Sequence, residues 1–343
     1  MVGKGLGRRI CKIGSLAAVM LALIPVGTFL RAQDFFYFAI ATGGIGGTYY
    51  PLAGVIANAI SSPPGSRPCD QGGSCGVAGL IAVAQTSNGS VQNVQSVSDR
   101  VVTSAFSQSD VAYWAFSATG TFEGQEPLTD LRAIAALYPE QVHLVASVES
   151  GIETVYDLAG KRVSIDTEDS GTNVDSRLIL EAFGINEGDL ELSFLQPTAA
   201  ADALRAGDLD AFFVVAGYPI VAVEELAQEH DVRMVPITGE QIDTMMDEFA
   251  FFAGDTIPGG IYDGNLEIVE TLAVGAQWVT HAEEDARLVY EVTQALWNDA
   301  TRQLLDVGHP KGASVTLGTA LDGVAIPLHP GAERYYREQG LIK

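Results

Sequence analysis

The sequence predicts an α/β protein in two halves whose sheets have a large parallel component. Three observations carry that prediction. Short apolar runs alternate with amphipathic stretches of about a dozen residues along most of the chain. Glycine-rich or polar loops separate each run from the stretch after it. A length of 343 residues with 47% hydrophobic content is enough for two packed cores.

Residues 34–42, "DFFYFAIAT", read as a buried first strand, aromatic and apolar throughout and ended by a glycine run. After Pro51, "LAGVIANAI" has helical apolar spacing and stops at the turn-rich "SSPPGSRP". Residues 79–97 repeat the plan with an apolar run, a polar loop over 86–90 and a short helix. A third strand follows in "VVTSAFSQSDVAYWAF", broken at Gln108, Ser109 and Asp110. "LRAIAALYPEQVHLVAS", residues 131–147, reads as two extended strands on either side of Tyr138, Pro139 and Glu140.

From about residue 149 the alternation continues. A short helix, a turn at Gly160, a strand to Ile165 and a polar loop precede "NVDSRLILEAFGI", an amphipathic helix closed by Gly184 as its C-cap. "LELSFLQ", "AAADALRAGDLD" and "AFFVVAGYP" supply strand, helix and strand. After the turn-rich "IPGGIYDG", "ETLAVGAQWVTH" is a strand, and two C-terminal helices follow, the first from about 283 to 305.

The N-terminus reads as an export signal. Lys4, Arg8, Arg9 and Lys12 form a basic region, residues 13–30 an apolar one, and Ala32 can precede the cut; left uncut, the segment is an N-terminal anchor. Removal of residues 1–32 leaves 14 cations against 43 acids, a net charge of −29, which excludes nucleic acid as a partner. Cys69 and Cys75 lie in the short flexible "PCDQGGSC", and an exported chain meets an oxidising compartment, so a disulfide is expected. A metal there would lack histidine or further cysteine ligands.

Two catalytic motifs are missing: the chain has no S-x-x-K or H-E-x-x-H, and its five histidines lack ligand spacing. No enzyme activity, cofactor or metal is expected. An enzyme on this chain would need a buried acid in a cleft with a strongly raised pKa.

"ATGGIGGTYYP", residues 41–51, fails as a dinucleotide fingerprint because Tyr49 occupies the third glycine position, and as a P-loop because no Gly-Lys-Ser/Thr follows. It keeps the physics of those loops: bare backbone N–H groups approach a ligand closely, ahead of a helix N-terminus carrying partial positive charge. "DSGTN", 169–173, places Ser170, Gly171 and Thr172 at another helix start in the other half, where an ordinary N-cap is the competing reading. Two such loops in two halves imply an anionic ligand held between them.

"ATGGIGGTYYPLAGVIANAI", the Cys69–Cys75 pair, "TSNGSVQN", "FSQSDVAYWA", "LYPEQVHLVA", "DLAGKRVSI", "SGT" and "ADALRAGDLDAFFVVAGYP" together resemble, in order, the solute-binding receptors of TAXI-type TRAP transporters. The resemblance runs over most of residues 35–343 and implies a two-lobed periplasmic binding protein of the type II class, with mixed sheets and a hinge. The division it implies is lobe I over 33–148, lobe II over 149–250, and a return to lobe I with the C-terminal helices over 251–343. It also implies a monomeric periplasmic receptor for a small anionic or zwitterionic ligand, with a glutamate- or 2-oxoglutarate-like dicarboxylate favoured, that delivers it to a TRAP-type membrane permease.

Carried onto this chain, lobe I contributes Gly43, Gly44, Ile45, Gly46, Gly47, Thr48 and Tyr49, with Ser90 and Asn93 from the second loop and Gln108, Ser109 and Asp110 from the third. Lobe II contributes Ser170, Gly171, Thr172, Gly217 and Pro219. Tyr138 joins Tyr49 and Tyr218 as cover for the apolar part of a ligand. The sequence departs from the pattern at Ile45, where a small polar residue is expected, and at residues 86–90, where a Thr-Gly-Gly-Ser loop is. It departs again at "SDRVVTSAF", where a Gly-Glu-Leu-Asp turn is expected. Hinge closure around the ligand is the implied mechanism.

Overall fold

The computed structural model describes residues 35–343. The signal segment expected over 1–32 lies outside the described residues. In chain order the elements are β1 (Phe36–Ala41), α1 (Tyr49–Ile60), β2 (Ser61–Ser62), β3 (Val77–Ala78), β4 (Leu80–Gln85), α2 (Ser90–Ser98), β5 (Ser104–Gln108) and α3 (Ser109–Ser117). Then come β6 (Leu131–Ser147), β7 (Arg162–Ser164), α4 (Gly171–Ala182), β8 (Glu191–Ser193), α5 (Pro197–Arg205), β9 (Ala211–Ala216), α6 (Val221–Glu229) and β10 (Val232–Val235). The chain ends with α7 (Glu240–Glu248), β11 (Ala253–Ile257), β12 (Val269–His281), α8 (Ala286–Leu296), α9 (Asp299–Gly308) and α10 (Pro330–Glu338).

Ten strands join in one ladder, β4-β1-β5-β12-β6-β9-β7-β8, with β10 added to β6 and β11 to β12. The outer strands of each half are parallel, β4-β1-β5 in lobe I and β8-β7-β9 in lobe II. Both groups pair antiparallel with the two long central strands, β5 with β12 and β9 with β6. The ladder is therefore mixed, and the expected parallel component fills its two wings. Strands buried on both faces explain the runs of apolar residues seen in the sequence.

Each wing is covered on both sides. In lobe I, Phe38, Leu52, Ile56, Phe106, Trp278 and Tyr336 share one core, while Val94, Val111, Trp114 and Val279 pack on the other face. In lobe II, strand alternation divides the side chains: Val142, Leu144, Phe213 and Val215 point to one core, and Val145, Phe212, Val214 and Ala216 to the other. Each such fully buried apolar side chain contributes about 1.5–3 kcal/mol. Phe252, Ile257, Tyr262, Leu272 and Val274 pack into the lobe II cores, so that lobe continues past residue 250 as far as the middle of β12.

Two sequence expectations are corrected. Residues 131–147 are one strand, not two. The proline that read as a break falls where β6 changes partners: Pro139 pairs with Gly275 on β12, and the ladder to β9 begins only at Gln141. A missing N–H is tolerated at such a changeover. β6 and β12 thus cross from one lobe to the other side by side and form the hinge, with register shifts in their pairing beside Ala276 and Trp278. The helix expected over 283–305 is two helices, because Asn298 accepts a hydrogen bond from the Thr301 N–H at 2.8 Å and starts α9 as its N-cap. The Cys69–Cys75 disulfide is present. Among the described residues no helix is long and apolar enough to cross a membrane.

Candidate functional site

The first loop does not reach its helix through an ordinary cap. The Thr48 hydroxyl, at the N-cap of α1, donates across the cleft to the Gly217 carbonyl just beyond β9. The Ala222 N–H of lobe II donates to the Gly46 carbonyl at 3.2 Å. Gln196, at the start of α5, donates to the Ser87 carbonyl at 3.2 Å and to Asn88 Oδ1 at 3.3 Å. Gln108 Nε2 donates to Asp175 Oδ2 at 2.7 Å. These bonds hold the lobes shut.

Between them lies a cavity of about 50 Å³. One water needs roughly 10–15 Å³, so in this closed arrangement the space suits a compact solute. Lobe I lines it with Gly43, Gly44, Gly47, Thr48, Tyr49, Ser90 and Gln108; lobe II with Ser170, Gly171 and Thr172. These sequence-derived residues are brought together. Among the described residues no acceptor is found for the backbone N–H groups of Gly43, Gly44 and Thr48. The first N–H groups of α4 at Gly171 and Thr172 have no intrahelical partner either, and Ser170 caps that helix by accepting from the Asn173 N–H at 3.0 Å. Bare donors from both lobes therefore converge on one small space.

Other expected residues lie elsewhere. Ile45 is exposed and faces away from the cavity. Gly46 packs against lobe II: a Cβ there would overlap Thr198 and come within 3.0 Å of the Ala222 Cβ. Asn93 is buried behind the loops, donating to the Thr42 and Phe106 carbonyls at 2.5 and 2.7 Å and accepting from Ser87 Oγ at 2.7 Å. Ser109 and Asp110 are buried behind Gln108, and Tyr138 belongs to the lobe I core. Gly217 and Pro219 stand outside the cavity wall, although Gly217 receives the Thr48 bond. Gly171 has a further role, since a Cβ at that position would overlap the Gln108 amide and reach Ser90 Oγ at 3.0 Å. Several bare positions of the two loops thus let the lobes approach each other.

The sequence reading missed Asn88, Gly89, Glu140, Asp166, Gln196, Pro197 and the β9 residues Val214, Val215 and Ala216, all in the cavity wall. Glu140 and Asp166 had no signal in a chain with 43 acids.

A profile of the NMT1-like family matches residues 40–340. The chain belongs to the NMT1-like family. Among solved structures, a protein from Bordetella bronchiseptica RB50 is similar at 14% identity and TM-score 0.51, over 88% of each chain. MatC from Rhodopseudomonas palustris, solved with bound malate, is 14% identical at TM-score 0.50, over 79% of this chain and 88% of its own. The periplasmic binding protein BugD is 12% identical at TM-score 0.50, over 89% of this chain and 97% of its own. These likenesses show the fold, the two-lobed architecture of periplasmic binding proteins.

The cleft of this NMT1-like protein is acidic. Glu140, on the hinge strand β6, accepts from the Tyr49 hydroxyl at 2.6 Å, and burial pushes its carboxyl up to about 8. Burial also pushes Asp166 up to about 7, against hydrogen bonds from Thr167, Ser170 and Thr172 that favour its charged form. Among the described residues no lysine, arginine or histidine lines the cavity. Lys311, which acts on Glu140 from outside the lining, donates to Gln141 Oε1 at 3.1 Å and lies 3.8 Å over the Tyr218 ring; burial brings it down to about 8. Any anionic group in this cleft must be held by backbone N–H groups and helix ends.

Proposed function

We propose that this protein is an extracytoplasmic solute-binding receptor, not an enzyme. It captures a small organic acid or amino acid between its lobes and delivers it to a TRAP-type membrane permease. The observation that carries the reading is the convergence of free backbone donors, from the 43–48 loop and from the N-terminus of α4, on one interlobe cavity. A carboxylate bound there touches both lobes only when they are shut, so its differential affinity draws the equilibrium toward the closed form. The resemblance of the glycine-tyrosine loop and the downstream motifs to TAXI receptors supports the permease partner. Glu140 and Asp166 suit a ligand with an ammonium group beside its carboxylate, an amino acid rather than a dicarboxylate such as 2-oxoglutarate, because a bound cation would favour the charged carboxylates that burial alone disfavours.

Thermal shift across a panel of amino acids and mono- and dicarboxylates tests the reading, followed by calorimetry on each hit. Saturable binding of at least one member without chemical change is expected; a panel with no shift sinks the carboxylate capture. Pull-down of a detergent-solubilised TRAP permease by the ligand-saturated protein tests the partner.

One observation favours a second reading. A buried acid lining a cleft, held largely protonated at neutral pH and hydrogen-bonded to a tyrosine, is what a general acid requires, and Glu140 meets that description. Product formation followed by NMR over the same panel separates the two readings.

A further inference from the structure

We infer that Asp110 and Asp175 form an interlobe proton-binding site, so that closing the lobes takes up one proton. Asp110 stands in the first turn of α3 in lobe I and Asp175 in α4 of lobe II, and both are fully buried. Gln108, two residues before Asp110, bonds Asp175 across the lobe boundary, and the neighbouring Val111 and Val174 share one apolar cluster, so the two carboxyl groups face each other. Gln108 Nε2 supplies one donor, to Asp175 Oδ2. Among the described residues no donor reaches Asp175 Oδ1 or either side-chain oxygen of Asp110. A hydrogen bond between two carboxyl groups exists only with a proton on one of them.

The surroundings place that proton. Its place in the first turn of α3, at the partly positive end of the helix, favours charge on Asp110. Asp175 has Gln108 on Oδ2, which leaves Oδ1 to carry the proton toward Asp110. The charged groups acting on Asp175 are Asp110 and Glu140, both acidic. Glu140, on β6, is occupied by the Tyr49 hydroxyl, and Lys311 acts on Glu140 and Asp255 rather than on the pair. With no cation among the groups acting on it, the pair is neutralised by a proton.

The balance is simple. In open lobes both side chains return to water as ordinary carboxylates. On closing, one proton comes from solvent, forms the O–H of Asp175 and is shared with the Asp110 carboxylate. Burial raises both groups, and the facing Asp110 raises Asp175 further. Raised carboxyls in the closed form mean that closure is favoured at low pH and lost as pH rises. From the ordinary aspartate range upward, the closing equilibrium falls about tenfold per pH unit until the pair surrenders its proton.

The test needs no solute, so it fails or succeeds separately from the receptor reading. Small-angle scattering at constant ionic strength, from pH 5 to 8.5, reads the radius of gyration of the full chain. The wild type should be compact at low pH and open as pH rises. Asp175→Asn keeps the bond geometry, its amide donating to Asp110 and accepting from Gln108, and should lose the one-proton part of the slope. Asp110→Asn serves as a second variant should the first fail to fold. A flat wild-type profile, or aspartate variants that follow the wild type, overturns the inference.

Discussion

Replacing Gly171 by alanine separates lobe closure from lobe stability. The backbone at 171 is ordinary for the start of a helix, so α4 accepts alanine and gains up to about 1 kcal/mol in helix preference. In the closed form, however, the added Cβ overlaps the Gln108 amide of the opposite lobe. Two costs follow. Overpacking in a tight site costs about 1–3 kcal/mol, and turning Gln108 away breaks its 2.7 Å bond to Asp175, worth roughly 1–2 kcal/mol. Together they come to about 2–5 kcal/mol, and at about 3 kcal/mol, toward the middle of that range, binding through the closed form weakens about a hundredfold. The expected result is a chain as resistant to urea as the wild type, within about 1 kcal/mol. Its affinity for whichever panel member binds the wild type should fall about a hundredfold, and scattering should show it open. Wild-type affinity and compaction in Gly171→Ala would refute the claim that this glycine is a spacer between lobes.

Three further outcomes are expected. Glu140 is held above its ordinary 4.5 at about 8 in the closed form, so the wild type loses stability as pH rises between those values. The loss is at most on the order of 5 kcal/mol, less where the lobes open to relieve it; Glu140→Gln should lack this fall, and parallel urea midpoints at pH 5 and 8.5 would contradict it. Replacing Cys69 and Cys75 together by serine frees a short loop and should cost about 2 kcal/mol in denaturation while leaving affinity unchanged. Asn93→Ala strands the Thr42 and Phe106 carbonyls and the Ser87 hydroxyl, so calorimetry should find roughly 2–4 kcal/mol of lost stability; a loss under about 0.5 kcal/mol would show that water replaces the amide.

Local pattern carried much of the fold. The first strand-loop-helix unit, the capped start of α4 and the doubly buried β9 were legible because periodicity, caps and glycines act within a few residues. The continuity of β6 was not, since Pro139 is a local stop signal whose tolerance depends on where distant strands change partners. Asn298 was overlooked as an N-cap inside an apolar stretch that read as one helix. At the site, the 43–48 loop and residues 170–172 stood out through their glycine and hydroxyl content. Glu140, Asp166 and Gln196 could not, because what distinguishes them from the chain's many other acids and amides is burial in a cleft made by both halves. Gly46 and Gly171 were noticed for the right residue type, but their contacts with the opposite lobe appear only in three dimensions.

The two unbroken hinge strands also dictate an order of assembly. β6 ends at Ser147 and β12 begins at Val269, so the ladder between them waits on more than a hundred residues of intervening chain. Lobe II needs Leu272 and Val274 to finish its core, and lobe I needs Trp278 and the helices after it. Neither half can be sealed while the C-terminal third of the polypeptide is still emerging, and pairing over so long a separation is slow compared with local helix formation. A chain arranged in this way stays threadable until it is nearly complete, because each half lacks part of its core until then.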